Sequence, residues 1–207
     1  MAVDFSCTPG SHPLETAGGS GSETPNSITL VSSFGHLYGT SNPHATVAGV
    51  YDSTYIPYND SGFDTSLAAN EKGLFDFGNL NNGTYNVIVF DTGSGNAAFF
   101  SGVKVGAGIG PDSFIMPLSP SNLLKGRISD TVGYIYSNIP VYISGSPYYS
   151  MLDTLGLFTI NKVPSGKYRL SAQVITDSRY GGDTLDIDTS ITLSGGETRD
   201  MGMLEWK

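Results

Sequence analysis

Gly156-Leu157-Phe158-Thr159-Ile160-Asn161-Lys162-Val163-Pro164-Ser165-Gly166-Lys167-Tyr168-Arg169-Leu170 occurs twice in this chain in related form. The earlier copy is Gly73-Leu74-Phe75-Asp76-Phe77-Gly78-Asn79-Leu80-Asn81-Asn82-Gly83-Thr84-Tyr85-Asn86-Val87, aligned without a gap at an offset of 83 residues (156 − 73). Glycines coincide at both turn positions, Phe158 falls on Phe75 and Tyr168 on Tyr85. Phe158 and Ile160, or Phe75 and Phe77, stand two apart and so share one face of an extended strand. A connection ending in Ser-Gly or Asn-Gly follows, its glycine free to take a positive φ. Then Tyr168, Leu170, Ala172 and Val174 alternate with Lys167, Arg169, Ser171 and Gln173, the pattern of an antiparallel strand with one face in a core and one in water. In the earlier copy Tyr85, Val87 and Val89 take the inward places. Ile88 and Phe90 replace the outward Ser171 and Gln173. Those two are expected to pack under a loop or against the second copy, or else to form an apolar binding patch.

Outward from this repeat the rest of the chain is short apolar stretches between turn residues. Ala45–Tyr51 corresponds to Pro140–Gly145, and the first copy carries extra residues around Asp52–Thr65, read as a loop. Phe99–Val105 and Ser113–Met116 correspond to Thr189–Leu193 and Thr198–Leu204 as closing strands. Leu67–Lys72 alone begins to look helical, and Gly73 cuts it off before two turns. With 27 glycines, 12 tyrosines and few helix formers, the chain is expected to be all-β: two tandem immunoglobulin-like or transthyretin-like antiparallel sandwiches. The expected division is a flexible tether over 1–26, a first sandwich over 27–118 and a second over 121–207. Pro117-Leu118-Ser119-Pro120 between them is short and stiff, so the two should be held close.

The spaced pattern Gly-x-Phe-x-Phe/Ile, then Leu/Val, then x-x-Gly-x-Tyr-x-Val/Leu resembles the signature of carboxypeptidase-regulatory-like domains, a branch of the transthyretin-like (prealbumin-type) sandwiches. In the second copy Leu124-Lys125-Gly126-Arg127-Ile128 looks like the family's opening strand and Ile139–Ile143 like its second. The likeness covers most of 121–207 and about 45–105 of the first copy. It implies a seven-stranded sandwich that accompanies enzymes, receptors or surface anchors without chemistry of its own. A related set of adhesin repeats forms Lys–Asn crosslinks assisted by a buried acid in the Gly-x-Tyr strand. Here Val89 and Ala172 stand in that place, so Lys125 is expected to be a surface lysine.

Composition narrows the function. The net charge is −9 with 10 basic residues in all, which excludes the electrostatic footprint of a nucleic-acid binder. No apolar run has the length of a membrane-spanning helix. Cys7 is the only cysteine. It is either an incidental thiol or the lipid-attachment cysteine of a bacterial lipoprotein, although Asp4-Phe5-Ser6 is a poor lipobox. His12, His36 and His44 have no recognisable nucleophile context, so no enzyme is expected. Asp183, Asp186 and Asp188 concentrate carboxylates that could take up calcium, or simply form a solvated loop; no other cofactor is implied. Tyr55, Tyr58, Tyr148 and Tyr149 are candidate stacking platforms for sugar rings, against the alternative that tyrosines merely cover sandwich edges. The reading is a non-catalytic structural or interaction module outside the cytoplasm, secreted or lipid-anchored at a bacterial cell surface. Its partner would be a protein or a polysaccharide, and the alternative is a carbohydrate-binding accessory protein.

Overall fold

A computed structural model describes residues 27–41, 46–58, 64–129, 136–175 and 184–206. The tether with Cys7, and Asp183 of the acidic stretch, lie outside them. The chain forms β1 (Ser27–Ser33), β2 (His36–Ser41), β3 (Thr46–Asp52), β4 (Asp64–Ala68), β5 (Leu74–Asn79), β6 (Gly83–Asp91), β7 (Asn96–Val105) and β8 (Asp112–Pro117). The joint holds β9 (Ser119–Pro120). The second half forms β10 (Asn122–Ser129), β11 (Pro140–Ile143), β12 (Tyr149–Met151), β13 (Leu157–Val163), β14 (Gly166–Ile175), β15 (Thr184–Leu193) and β16 (Thr198–Glu205). The described residues contain no helix; Leu67 and Ala68, read as a helical start, close β4 instead, because β3 offers them a ladder.

Each half is two sheets facing one another. In the first, the order β5-β2-β1-β8 faces β4-β3-β6-β7-β9; in the second, β13-β10-β16 faces β12-β11-β14-β15. The correspondence is close. Gly39 of β2 pairs with Phe75 as Gly126 of β10 pairs with Phe158. The first half differs by inserting β1 between β2 and β8, whereas β10 pairs directly, and in parallel, with β16. Both arrangements leave the closing strand running parallel to β2 or β10. The inserted strand is well motivated, since β1 alternates half-buried and buried residues along its whole length, with Ile28 and Leu30 inaccessible.

The repeated residues hold the two cores together in the same way. A Cβ built on Gly39 would lie 2.4 Å from the Phe75 ring, and one on Gly126 would lie 2.9 Å from the Phe158 ring. Each phenylalanine ring therefore fills the space over the glycine opposite it. Tyr85 donates its hydroxyl to the carbonyl of Asn81 at 3.0 Å, and Tyr168 donates to that of Pro164 at 2.8 Å. Both are tyrosine corners, which close the turn into the following strand. The glycines of the Gly-x-Tyr motif, free to take positive φ, do not; within the repeat positive φ falls on Gly73 and Gly156, at the head of each copy, and on Gly78. Gly83 and Gly166 are needed because the tyrosine ring folds back over them, 3.1 and 3.2 Å from where a Cβ would stand.

Ile88 is buried in the core of the second half, together with Phe99. Lys162 lies 5.4 Å from the centroid of Phe90. The apolar outward face of β6 is thus covered by the second copy rather than by solvent. Replacing Gly126 by alanine should destabilise the protein by about 1–3 kcal/mol, through overpacking against Phe158. Tyr168→Phe should cost about 1 kcal/mol through loss of its hydroxyl bond. Urea denaturation midpoints at constant m-value would measure both, and an unchanged midpoint for Gly126→Ala would contradict the ring-over-glycine packing.

Candidate functional site

The extra residues after β3 build a turn that reaches the second half. Asp52 caps it, its carboxylate accepting from the amide of Thr54 at 2.8 Å and from the Thr54 hydroxyl at 2.7 Å. The amide of Tyr55 donates to the carbonyl of Asp52, and the carbonyl of Tyr55 accepts from the amide of Gly145 at 2.8 Å. Gly145 has φ +68°, and a Cβ there would fall 2.3 Å from the amide nitrogen of Asn86. Asn86, nearly buried, donates that amide to the carbonyl of Gly145 at 2.9 Å and accepts from the amide of Gly102 at 3.1 Å. One side chain thus ties β6, β7 and the loop after β11.

Beside this contact lies a groove of about 470 Å³. Ser53, Thr54 and Ile56 of the turn form one wall. The floor is the outer face of the β11-β14-β15 sheet. Ladder register fixes its rows, with Tyr142 opposite Ser171, Ser171 opposite Asp188, and Gln173 opposite Asp186. Tyr58 packs edge-on against Tyr142, ring centroids 5.3 Å apart at 62°. Arg169 grips both oxygens of Asp188 through its fork of N–H groups. Burial raises the Tyr142 phenol above its ordinary value, and Tyr58 and Asp188 add to the shift.

The four candidate tyrosines do not come together as one platform. Tyr55 is 5% exposed, in ring contact with Tyr51 at 5.4 Å, so it is a core residue without a free face. Tyr148 packs partly buried against the second core, its phenol pushed well up by burial and then by Tyr51. Tyr58 and Tyr149 are 40% and 47% exposed. Tyr149 faces Tyr142 across the β11–β12 ladder, so Tyr142 stands between the two exposed tyrosines. Tyr142 escaped notice in the sequence, although parity carried the signal: Val141 and Ile143 point inward, so Tyr142 must point out.

Asp186 and Asp188 are both exposed on one face of β15. Arg169 already occupies the Asp188 carboxylate, which sets it in competition with any cation there. Among the described residues no three His, Cys, Asp or Glu side chains converge as a metal site. His36 stands at the start of β2, 2.5 Å from the Asp76 carboxylate and with its ring tilted at 60° to that of Tyr38. Lys125 is a surface lysine, 3.4 Å from Asp200.

No protein family and no curated protein matches this chain. Among solved structures it is similar to GBS52, the minor pilin of Streptococcus agalactiae, at 14% identity over 81% of this chain and 84% of that one, with a TM-score of 0.33. A D312A form of BcpA, the major pilin subunit of Bacillus cereus, gives 8% identity over 87% of this chain and 58% of that one, with a TM-score of 0.32. A type II cohesin–X-dockerin complex from Acetivibrio cellulolyticus gives 16% identity over 40% and 52%, with a TM-score of 0.31. Nothing about the function of this chain follows from likenesses so distant.

Tyr148 and Tyr168 both hold raised phenols, Tyr168 through burial and then through Tyr148. The unfolded chain would ionise these tyrosines near pH 10 while the native state keeps them neutral. Stability should therefore be fully present below about pH 10 and fall as pH rises above it. Denaturation midpoints between about pH 9 and 11 would measure the fall; in the Tyr148→Phe variant it should be shallower, and an identical slope would contradict the assignment.

Proposed function

We propose that this chain is a rigid, non-catalytic interaction module displayed outside the cytoplasm, built from two carboxypeptidase-regulatory-like sandwiches. The observation that carries the proposal is the junction. The core of the second half runs on into the first through Ile88 and Phe99, and the rings of Phe99 and Tyr168 are 4.7 Å apart. A Cβ on Gly166 would lie 2.9 Å from Phe99. Around this apolar contact Asn86 and Tyr55 bond to Gly145, Ser119 to Ser165, and Ser121 to Gly95, while β9 adds to the edge of β7. Two buried aromatics and a shared core make relative swinging costly, as a spacer or a presenting surface requires.

A protein with these features places surfaces at a fixed distance and angle. The acidic net charge keeps it apart from other anionic surfaces and from nucleic acid. Attachment to a membrane through a lipid on Cys7, and a protein or polysaccharide partner at a bacterial surface, belong to the same proposal.

Small-angle scattering and calorimetry test it together. The intact chain should scatter as one body of fixed shape and unfold in a single transition. Phe99→Ala should cost about 3–5 kcal/mol, and should separate the melting of the two halves or broaden the scattering profile. Two independent transitions in the unaltered protein would overturn the rigid-module reading, and so would sustained turnover on a broad panel of hydrolase substrates.

A further inference from the structure

We infer that the outer edge of β15 is a self-association surface, at which two copies of this chain join antiparallel about a two-fold axis at Thr189. The inference goes beyond the module reading and supplies that module with a partner, a second copy of itself. At ten residues β15 is the longest strand at a sheet edge among the described residues. It pairs with β14 from Gly166–Leu193 to Ile175–Thr184 without a shift, and no described strand pairs with its other side. A long, regular edge is a template for another chain unless something blunts it. The corresponding strand of the first half is blunted twice. β9 covers the start of β7 at Asn96 and Ala97, and the ladder with β6 slips between Tyr85 and Val87, where Gly102 takes φ +69°. The neighbouring edge, β16, slips against β10 beside Gly202, at φ +65°. β15 carries neither device.

The sequence of the strand says what fits it. Leu185-Asp186-Ile187-Asp188-Thr189-Ser190-Ile191-Thr192-Leu193 reads alike in both directions from Thr189: polar at one step, apolar at two, polar at three, apolar at four. Antiparallel pairing about Thr189 therefore sets the buried Ile187 of one copy opposite the buried Ile191 of the other, on the core side of a sheet continuous across both. The ladder extends over nine residues (185–193) of the strand. The acids select this register. It sets Asp188 opposite Ser190 and Asp186 opposite Thr192, so that no carboxylate meets another. An axis one residue earlier sets Asp188 against itself, and two earlier sets it against Asp186. One residue later keeps the acids apart but shortens the ladder to seven residues (187–193). A half-residue axis sets core-side residues opposite solvent-side ones. Along the same edge runs a cleft of about 510 Å³, where Ile187 and Thr189 of β15 meet Met203 and Leu204 of β16. Met203 is 52% exposed. A second copy on β15 closes this cleft, so apolar burial adds to the backbone hydrogen bonds of the new ladder.

Sedimentation equilibrium and amide hydrogen exchange on the full chain test the inference. Between about 1 μM and about 1 mM the chain should pass from monomer to dimer with no larger species. Over the same range the outer amides of β15 should exchange more slowly, while those of β7 keep their rate. The double variant Ser190→Asp, Thr192→Asp changes two exposed positions and sets four carboxylate pairs face to face across the axis. It should weaken association about tenfold or more. Thr159→Asp, exposed on β13, should leave association unchanged. A chain still monomeric at about 1 mM would overturn the inference. So would a dimer whose β15 amides exchange no more slowly than the monomer's, or one indifferent to the double variant. The exchange measurement uses the unaltered chain, so it decides the matter even where the double variant fails to fold. The module reading fails separately, through two unfolding transitions, and a rigid chain that never pairs would remove only this surface.

Discussion

Everything in this molecule depends on a phenylalanine ring laid over a glycine on the neighbouring strand, once in each half. Phe75 covers Gly39 and Phe158 covers Gly126, with no room for even a methyl group beneath either ring. The contact fixes register, because only one alignment of the two strands puts the ring above the missing side chain. With register fixed, Leu37 and Leu124 fall inward, and the opposing sheets can close on a dry core. The tyrosine corner then sets where the next strand begins. A motif of five or six spaced residues therefore specifies a sandwich whose remaining strands vary widely in length and composition.

The same economy explains why the halves are not independent. On β6 the inward set already fills the first core, and the outward Ile88 and the neighbouring strand's Phe99 would otherwise face water. Burying an aliphatic or aromatic side chain of that size contributes about 1.5–3 kcal/mol. In the second half the equivalent strand carries Ser171 and Gln173 outward, and its outer face stays open. The asymmetry has a direction: the first half offers an apolar outer face that the second half covers, and the second half offers a polar outer face that remains available.

Much of this was legible in the sequence, and the failures have physical reasons. The repeat, the all-β class and the inward residues of β6 and β14 follow from a period of two that burial enforces. The same parity turned Ile88 outward, and cover by the second copy was one of the alternatives it left open. What could not be read was which partner a strand would find. Leu67 and Ala68 have helical propensity, but propensity is a few tenths of a kcal/mol per residue and a ladder with β3 outweighs it. The inserted β1 disguises the correspondence between Leu37–Tyr38–Gly39 and the opening strand of the second copy. The glycines before Tyr85 and Tyr168 looked like turn residues because glycine has two uses, positive φ and close approach, and sequence alone does not separate them. The tyrosines failed for the same kind of reason: Tyr55 and Tyr148 lie in irregular loops without parity, whereas Tyr142, on a strand, had a face that alternation dictates.

The insertion after β3 is where the two copies differ most, and it is also where the second half is gripped and the groove gains its wall. A carbonyl of this insertion bonds Gly145, and the next few residues, Ile56 to Tyr58, stand over the β11-β14-β15 sheet. Were the halves free to swing, wall and floor would separate and the groove would be a flat sheet face. Locking the junction and shaping the groove are therefore one structural act. Ser53 to Tyr58 acquire a purpose that a surface loop does not need, and the cost of ordering them is offset by the interface they complete.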